Sequence, residues 1–334
     1  MSFFKKTYDF VAIGDNTTDA FIRLKDAHII PDDTHDGYKK LCIDFGSKIP
    51  YESVEVIHAV GNAANAAVSA ARLGLCSALI SDTGDDQNGE ESLQVFRKNK
   101  VSTDFIRVHK GMTSNYDFVL CYDADRTILV KHETYPSKMP SSLDTKWIYL
   151  SSFAHKNEDY IEEIMTFIEK NPSVKVAFQP ATFEIKAGVP KFARIYKRTE
   201  VFICNLEEAE TILGKENADP KTLLEGLCAL GPKIVVMTDG PAGAYCYDGQ
   251  EFIKMPIYPD PKPPVQRTGA GDAFASTFVS ALALGKSIRE ALMWGPINSM
   301  SVVQQVGAQK GLLSREALLK YLAEAPTNYV PTTL

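Results

Sequence analysis

Short, nearly continuous apolar runs alternate with amphipathic helical stretches along most of this chain. The strand-like runs fall at 8–14 (YDFVAIG), 76–81, 147–150, 174–178, 200–204 and 233–238 (KIVVMT). Helices are predicted between them at 62–73, 89–98, 157–170, 206–213 and 221–230. In the third of these, Ile161, Ile164, Met165 and Ile168 share one face. A strand with no polar side is one buried on both faces. The alternation therefore predicts an α/β fold, a mostly parallel sheet with helices on both faces.

Two stretches break the rhythm. Residues 16–56 are polar, and residues 101–132 look like strands without helices. Within the second, 116–122 and 127–132 flank Asp123-Ala124-Asp125-Arg126, which is hairpin chemistry. The pattern predicts a main domain of 1–15, 57–100 and 133–334. The two excursions, 16–56 and 101–132, would pair into a small β-sheet lid over the carboxyl ends of the main strands, unless they are surface loops. Residues 256–264 (PIYPDPKPP) read as an extended connector.

Of 334 residues 45% are hydrophobic, enough for a sizeable core, and the net charge is −6. An acidic balance excludes a main task of coating nucleic acid or an anionic membrane. A local anion pocket is still compatible with it. No run reaches the roughly 18 apolar residues of a membrane span. The opening MSFFKK has no long apolar segment or cleavage site, so no signal peptide is expected. Six cysteines with no CxxC pair read as free thiols in a cytoplasmic protein, five of them as core packing.

The sharpest segment is Arg267-Thr268-Gly269-Ala270-Gly271-Asp272-Ala273-Phe274, leading into an apolar helix closed by Gly285. The glycines allow a tight turn that points successive N–H groups one way, at a helix N-terminus where the dipole favours an anion. That dipole should help keep Asp272 ionised. An ionised carboxylate beside an anion nest suits abstraction of a hydroxyl proton during phosphoryl transfer. The same residues are equally compatible with a plain turn and a first-turn helix acid. The dinucleotide fingerprint fails at Phe274. A P-loop ending in Gly285-Lys286-Ser287 fails because Ser280 stands where its first glycine belongs.

Further motifs accompany this one in order. They are Val60-Gly61-Asn62-Ala63-Ala64-Asn65 with Ala71-Arg72-Leu73-Gly74, Gly84-Asp85-Asp86-Gln87-Asn88-Gly89, Asn205-Leu206-Glu207-Glu208, Thr238-Asp239-Gly240-Pro241-Ala242-Gly243 and the stretch from Asn298 to Gly307-Ala308. Together they resemble the signatures of the PfkB/ribokinase family of small-molecule kinases, over nearly the whole chain. The resemblance implies a ribokinase-like fold and transfer of the ATP γ-phosphoryl group to an alcohol. It makes Asp272 the general base and the Gly269, Ala270 and Gly271 amides the anion hole. Asn205, Thr238, Gly240, Gly243 and Asn298 would bind the nucleotide. Glu208 would act on Mg²⁺ through water. Asp19, Gly61, Asn62 and Asn65 would hold the acceptor. Read without the family, Glu208 is an ordinary first-turn acid, Asn65 a solvated helix residue, and Asn298 faces either adenine or solvent.

Some positions depart from the family pattern. Val60 replaces a glycine, Asn62 stands for the usual lysine, and Thr17 stands for an asparagine near the sugar. Strict ribose specificity is therefore not implied. Gln266 stands where many members have an aspartate of a monovalent-cation site, which leaves K⁺ activation open. The resemblance implies a homodimer clasped through the lid. The acceptor is read as a sugar with a primary hydroxyl. A nucleoside acceptor is the alternative, with Phe21, Tyr116, Phe118 and Tyr122 as a base wall. A catalytically silent sugar-binding regulator is a third reading.

Overall fold

A computed structural model describes residues 6–32, 39–123, 125–153 and 157–334. Along β1 (Phe10–Ile13) successive side chains leave opposite sides of the strand. Phe10 and Ala12 enter one hydrophobic core, Val11 and Ile13 another. This double burial explains the unbroken apolar run. Seven strands lie parallel in the order β7 (Ile106–His109), β6 (Ser77–Gly84), β1, β10 (Trp147–Leu150), β11 (Lys175–Phe178), β12 (Thr199–Asn205) and β13 (Ile234–Thr238). Beyond β13 the sheet continues antiparallel through β14 (Ala244–Tyr247), β15 (Phe252–Met255) and β16 (Thr332–Thr333).

The first core lies under α1 (Asn62–Arg72), α2 (Gln87–Lys98), α8 (Ala270–Ala283), α9 (Ile288–Val303) and α10 (Arg315–Ala323). The second lies under α3 (Glu158–Lys170), α5 (Val189–Arg198), α6 (Leu206–Leu213) and α7 (Pro220–Cys228). Helix α1 is mostly alanine and packs closely on α8, which is also rich in small residues. That close approach brings Asn65 of α1 beside the start of α8.

A four-stranded sheet in the order β5 (Tyr51–Val60), β2 (Thr17–Leu24), β8 (Tyr116–Tyr122) and β9 (Asp125–Leu129) forms the lid. The hairpin turn residue Ala124 lies outside the described residues. A separate ribbon pairs β3 (His28–Pro31) with β4 (Lys39–Cys42). Two expected boundaries shift. Strand β7 was assigned to the lid, yet it pairs in parallel with β6 from Ser81↔Ile106 to Gly84↔His109. The intervening α2 makes β6–α2–β7 a crossover unit, and parallel pairing is what such a crossover gives. At the other boundary β5 runs on to Val60, past residue 57, because β2 offers it partners that far. The cysteine expectation also narrows. Cys204 and Cys246 are buried, while Cys42, Cys76, Cys121 and Cys228 are half-buried, and all six are free. Among the described residues no helix is long and apolar enough to cross a membrane.

Candidate active site

Parallel strands all end at one edge of the sheet, and loops leaving that edge can meet. Here they do. Asn205 ends β12, Thr238 ends β13, Gln179 follows β11, Ser151 and Ser152 follow β10, and Asp15 and Asn16 follow β1. Helix α8 points its N-terminus at the same edge, where the first amides of a helix have no partner within the helix itself.

Gly269 precedes α8 in the left-handed conformation, with φ +79°. A Cβ there would stand 2.4 Å from the Ala308 Cβ, so the turn requires glycine twice over. The Ala270 amide already donates to the Arg267 carbonyl at 3.3 Å. It is therefore a weaker anion donor than expected, and Gly271, exposed and with open space above it, is the better placed.

On one side of this turn lies a cleft of about 350 Å³. Asn205, Thr238, Gly240 and Gly243 form one wall, and Arg267, Ala270 and Gly271 the end. Pro296, Ser299, Met300 and Val303 of α9 form the other wall, a spacing that keeps them on one helical face. Asn298 lies off that face. It is fully buried, donating to Thr277 Oγ1 at 2.7 Å and accepting from the Leu313 amide at 2.9 Å. It faces neither the cleft nor solvent, and it is absent from the cleft lining.

Asn205 and Glu208 form a capping box at the start of α6. The Asn205 side chain accepts from the Glu208 amide at 2.8 Å, and Glu208 Oε2 accepts from the Asn205 amide at 2.9 Å. Burial pushes the Glu208 carboxyl above its usual range, the Asn205 amide opposes this, and Asp272 and Glu207 add to the rise. A half-buried carboxyl at this place would fit a divalent cation held chiefly by phosphates and water. Among the described residues no group of three or more His, Cys, Asp or Glu side chains is placed to hold a metal by itself.

Asp272 sits half-buried in the first turn of α8. Both its oxygens accept amide N–H groups, Oδ2 from Asn65 at 2.8 Å and Oδ1 from Gln179 at 3.1 Å. Burial opposes the helix dipole expected to help keep it ionised. Burial raises its pKa above the usual carboxylate value, and the bonds from Asn65 and Gln179 and the charge of Arg126 only partly offset this. Asn65 is thus aimed at Asp272 and is not a free acceptor-binding group. Sequence reading missed Gln179. A polar residue directly after an apolar strand, at the carboxyl edge, is the signal that could have found it.

The lid supplies the other side. Asp19 lies on β2 directly opposite Asp117 of β8. Burial and the Asp117 charge push Asp19 up to about 7. Asp117 is raised as well, chiefly by burial. His132 lies between two carboxylates, with Nδ1 3.5 Å from Asp15 and Nε2 4.0 Å from Asp117. Neither Asp117 nor His132 was a sequence candidate. Gly61 enters α1 at φ +114° with a Cβ position 3.1 Å from the Asp15 carbonyl, and Asn62 opens the helix half-buried. Of the lid aromatics, Phe21 shares the inward face with Asp19, while Tyr116, Phe118 and Tyr122 alternate to the opposite face.

A parallel sheet with a small β lid, a nucleotide-sized cleft and an acid on a helix N-terminus define a small-molecule kinase of ribokinase-like fold. A family model described as "pfkB family carbohydrate kinase" matches residues 36–315. The chain belongs to that family, and it is a phosphotransferase with an alcohol group as acceptor. It is 28% identical over 248 residues to an uncharacterized sugar kinase of Archaeoglobus fulgidus, covering 72% of this chain and 96% of that protein. The structure resembles Arabidopsis thaliana ribokinase complexed with ribose and ATP, with TM-score 0.77, 19% identity and coverage of 95% and 99% of the two chains. It also resembles the Methanocaldococcus jannaschii nucleoside kinase, with TM-score 0.76, 16% identity and coverage of 95% and 98%.

Proposed function

We propose that this kinase transfers the γ-phosphoryl group of ATP to a primary hydroxyl of a neutral sugar. The observation that carries the reading is the position of Asp272. It stands in the first turn of α8, directly after Gly271 of the cleft lining, with its carboxylate held by Asn65 and Gln179. Asp272 takes the proton of the acceptor hydroxyl, and the Gly269–Gly271 turn holds the charge of the moving phosphoryl group. Asn205, Thr238, Gly240 and Gly243 cradle the nucleotide. Glu208 and Asn205 would hold Mg²⁺ through its waters, and the ion would neutralise phosphate charge there. Arg267 adds a positive charge at the phosphate end. Asp19 and Gly61, with Asn62 at the helix start, hold the sugar hydroxyls.

A nucleoside acceptor is less well supported, because three of the four lid aromatics lie on the face away from Asp19. Gln266 stands where many members have an aspartate of a cation site, so turnover should not depend on K⁺. The free thiols fit the cytoplasm. The protein forms a homodimer through the outer face of the lid.

ATP consumption is measured across neutral sugars, nucleosides and sugar phosphates, with Mg²⁺ and with or without K⁺. A neutral sugar should be the strong acceptor, and Asp272→Asn should lower its turnover about 10²- to 10⁴-fold with the fold intact. Turnover unchanged in that variant removes Asp272 as base. A response to nucleosides alone replaces the sugar reading. ATP binding without turnover on any acceptor favours the silent regulator.

A further inference from the structure

The polarity of the bonds around Asp272 is set at a distance. An amide side chain has one donor end and one acceptor end, and which way it faces is decided by partners that can play only one part. The fixed partner here is the Ala59 carbonyl, which can only accept. Ala59 adopts the left-handed conformation, φ +63°, just before the start of α1. Gln309 Nε2 donates to this carbonyl at 2.6 Å and to Asn65 Oδ1 at 3.0 Å. Asn65 Oδ1 is thereby occupied, so its Nδ2 must face Asp272. On the other side, the Tyr149 hydroxyl donates to Gln179 Oε1, which turns Gln179 Nε2 toward Asp272. Tyr149 is fully buried, and burial raises its phenol well above the usual value, so it stays a donor.

We propose that Gln309 is a positioning residue for the catalytic base, acting through Asn65: the Ala59 carbonyl, Gln309 and Asn65 form a one-way relay that presents an N–H to Asp272 and excludes the reversed amide. This deepens the reading of Asp272 as the base and rests on it. Gln309 is buried and separated from Asp272 by Asn65, so it acts by orientation only. Without its donor, Asn65 is free to turn its oxygen to the protonated carboxyl and accept from its O–H, which favours the neutral form of Asp272. The charged groups facing Asp272 are Arg126 and Glu208, and the relay variants leave both in place.

The test is Gln309→Met, which keeps length and packing but removes the donor. The acidic limb of the kcat profile should move up by about one pH unit, a tenfold change in proton affinity. On that limb kcat at a fixed pH should fall by up to about tenfold, with the KM for ATP unchanged. Gln309→Glu, of the same length, can only accept when ionised and should lose more; it carries the test if the Met variant does not fold. Carboxyl NMR, with the Asp272 signal assigned by its loss in Asp272→Asn, should show the same upward titration shift. A lower Tm with the pH profile and the Asp272 titration unmoved would mean a merely structural glutamine, and would overturn the proposal. If no acceptor turns over even in the unaltered protein, the NMR titration decides alone. A shifted Asp272 then upholds the relay while the kinase reading fails, and an unshifted one ends both.

Discussion

At the scale of residues, Asp19 gives the most direct pH dependence. Its carboxyl titrates at about 7 in the folded protein because it is buried beside Asp117. Sugar hydroxyls donate to the charged form, so acceptor binding should tighten as pH rises through about 7. The acceptor KM measured from pH 6 to 8 should therefore fall with rising pH. Asp19→Asn should flatten that dependence and raise KM about tenfold, the worth of ~1.5 kcal/mol for a hydrogen bond to a charged group. Much of this site was legible as residue types in order. Asp272, Gly269 and Gly271 stand in one contiguous run, and a local run specifies its own turn. Asn298 was legible as a helix residue only. Which way it faces depends on the 3.6-residue phase of α9 against α8, and Pro296, Met300 and Val303 show that phase. Gln179, Asp117, His132 and Gln309 lie far apart in the sequence from the partners they meet, and only the fold brings Gln179 to Asp272, Gln309 to Asn65 and His132 to Asp117.

At the scale of elements, the turn before α8 is the most constrained. Gly269→Ala should cost about 1–3 kcal/mol, through the positive φ and the contact with Ala308, and should depress kcat with it. Urea unfolding and turnover, measured together, check both effects. The motif 84–89 has a different use. Asp86 caps α2 by accepting from the Gly89 amide at 3.0 Å, and it also accepts from the Ser114 amide at 2.9 Å and the Ser114 hydroxyl at 2.5 Å. It thus ties the start of α2 to the segment leading into β8. Although burial works against it, these bonds hold its carboxyl below the usual value. A depressed carboxyl stabilises the fold above its unfolded pKa near 4, and that contribution fades as pH falls below it. Asp86→Ala should therefore lose about 1 kcal/mol at neutral pH and less in acid, read by denaturant midpoints. The main strands were legible because double burial leaves an unmistakable apolar run. Strand β7 was not, since its exposed Val108 and half-buried Arg107 and His109 give a single short edge strand no such pattern.

For the whole molecule, the lid carries an apolar row across its outer face. Val56, Ala20, Phe118 and Leu129 stand in register on four adjacent strands. Val56, Phe118 and Leu129 are exposed by 44%, 44% and 52%. Such a row on a small sheet is a surface that pairing would cover. Light scattering should give a dimer, and Phe118→Glu with Val56→Lys should give a monomer with its melting temperature little changed. A monomer in the unaltered protein would remove the clasp. The lid also reaches the segment that follows α9. Ile57 fills the space beside Gly307, and Lys310 stands 4.0 Å from Glu55, while Arg72 holds the Gln309 and Leu312 carbonyls at 2.7 and 2.8 Å. The segment 307–310 therefore meets the lid through Gly307 and Lys310 and meets α1 through the bond from Gln309 to Asn65. A change on lid strand β5 and a change beside Asn65 are therefore joined through one short stretch of backbone, so a substitution at either end should be felt at the other.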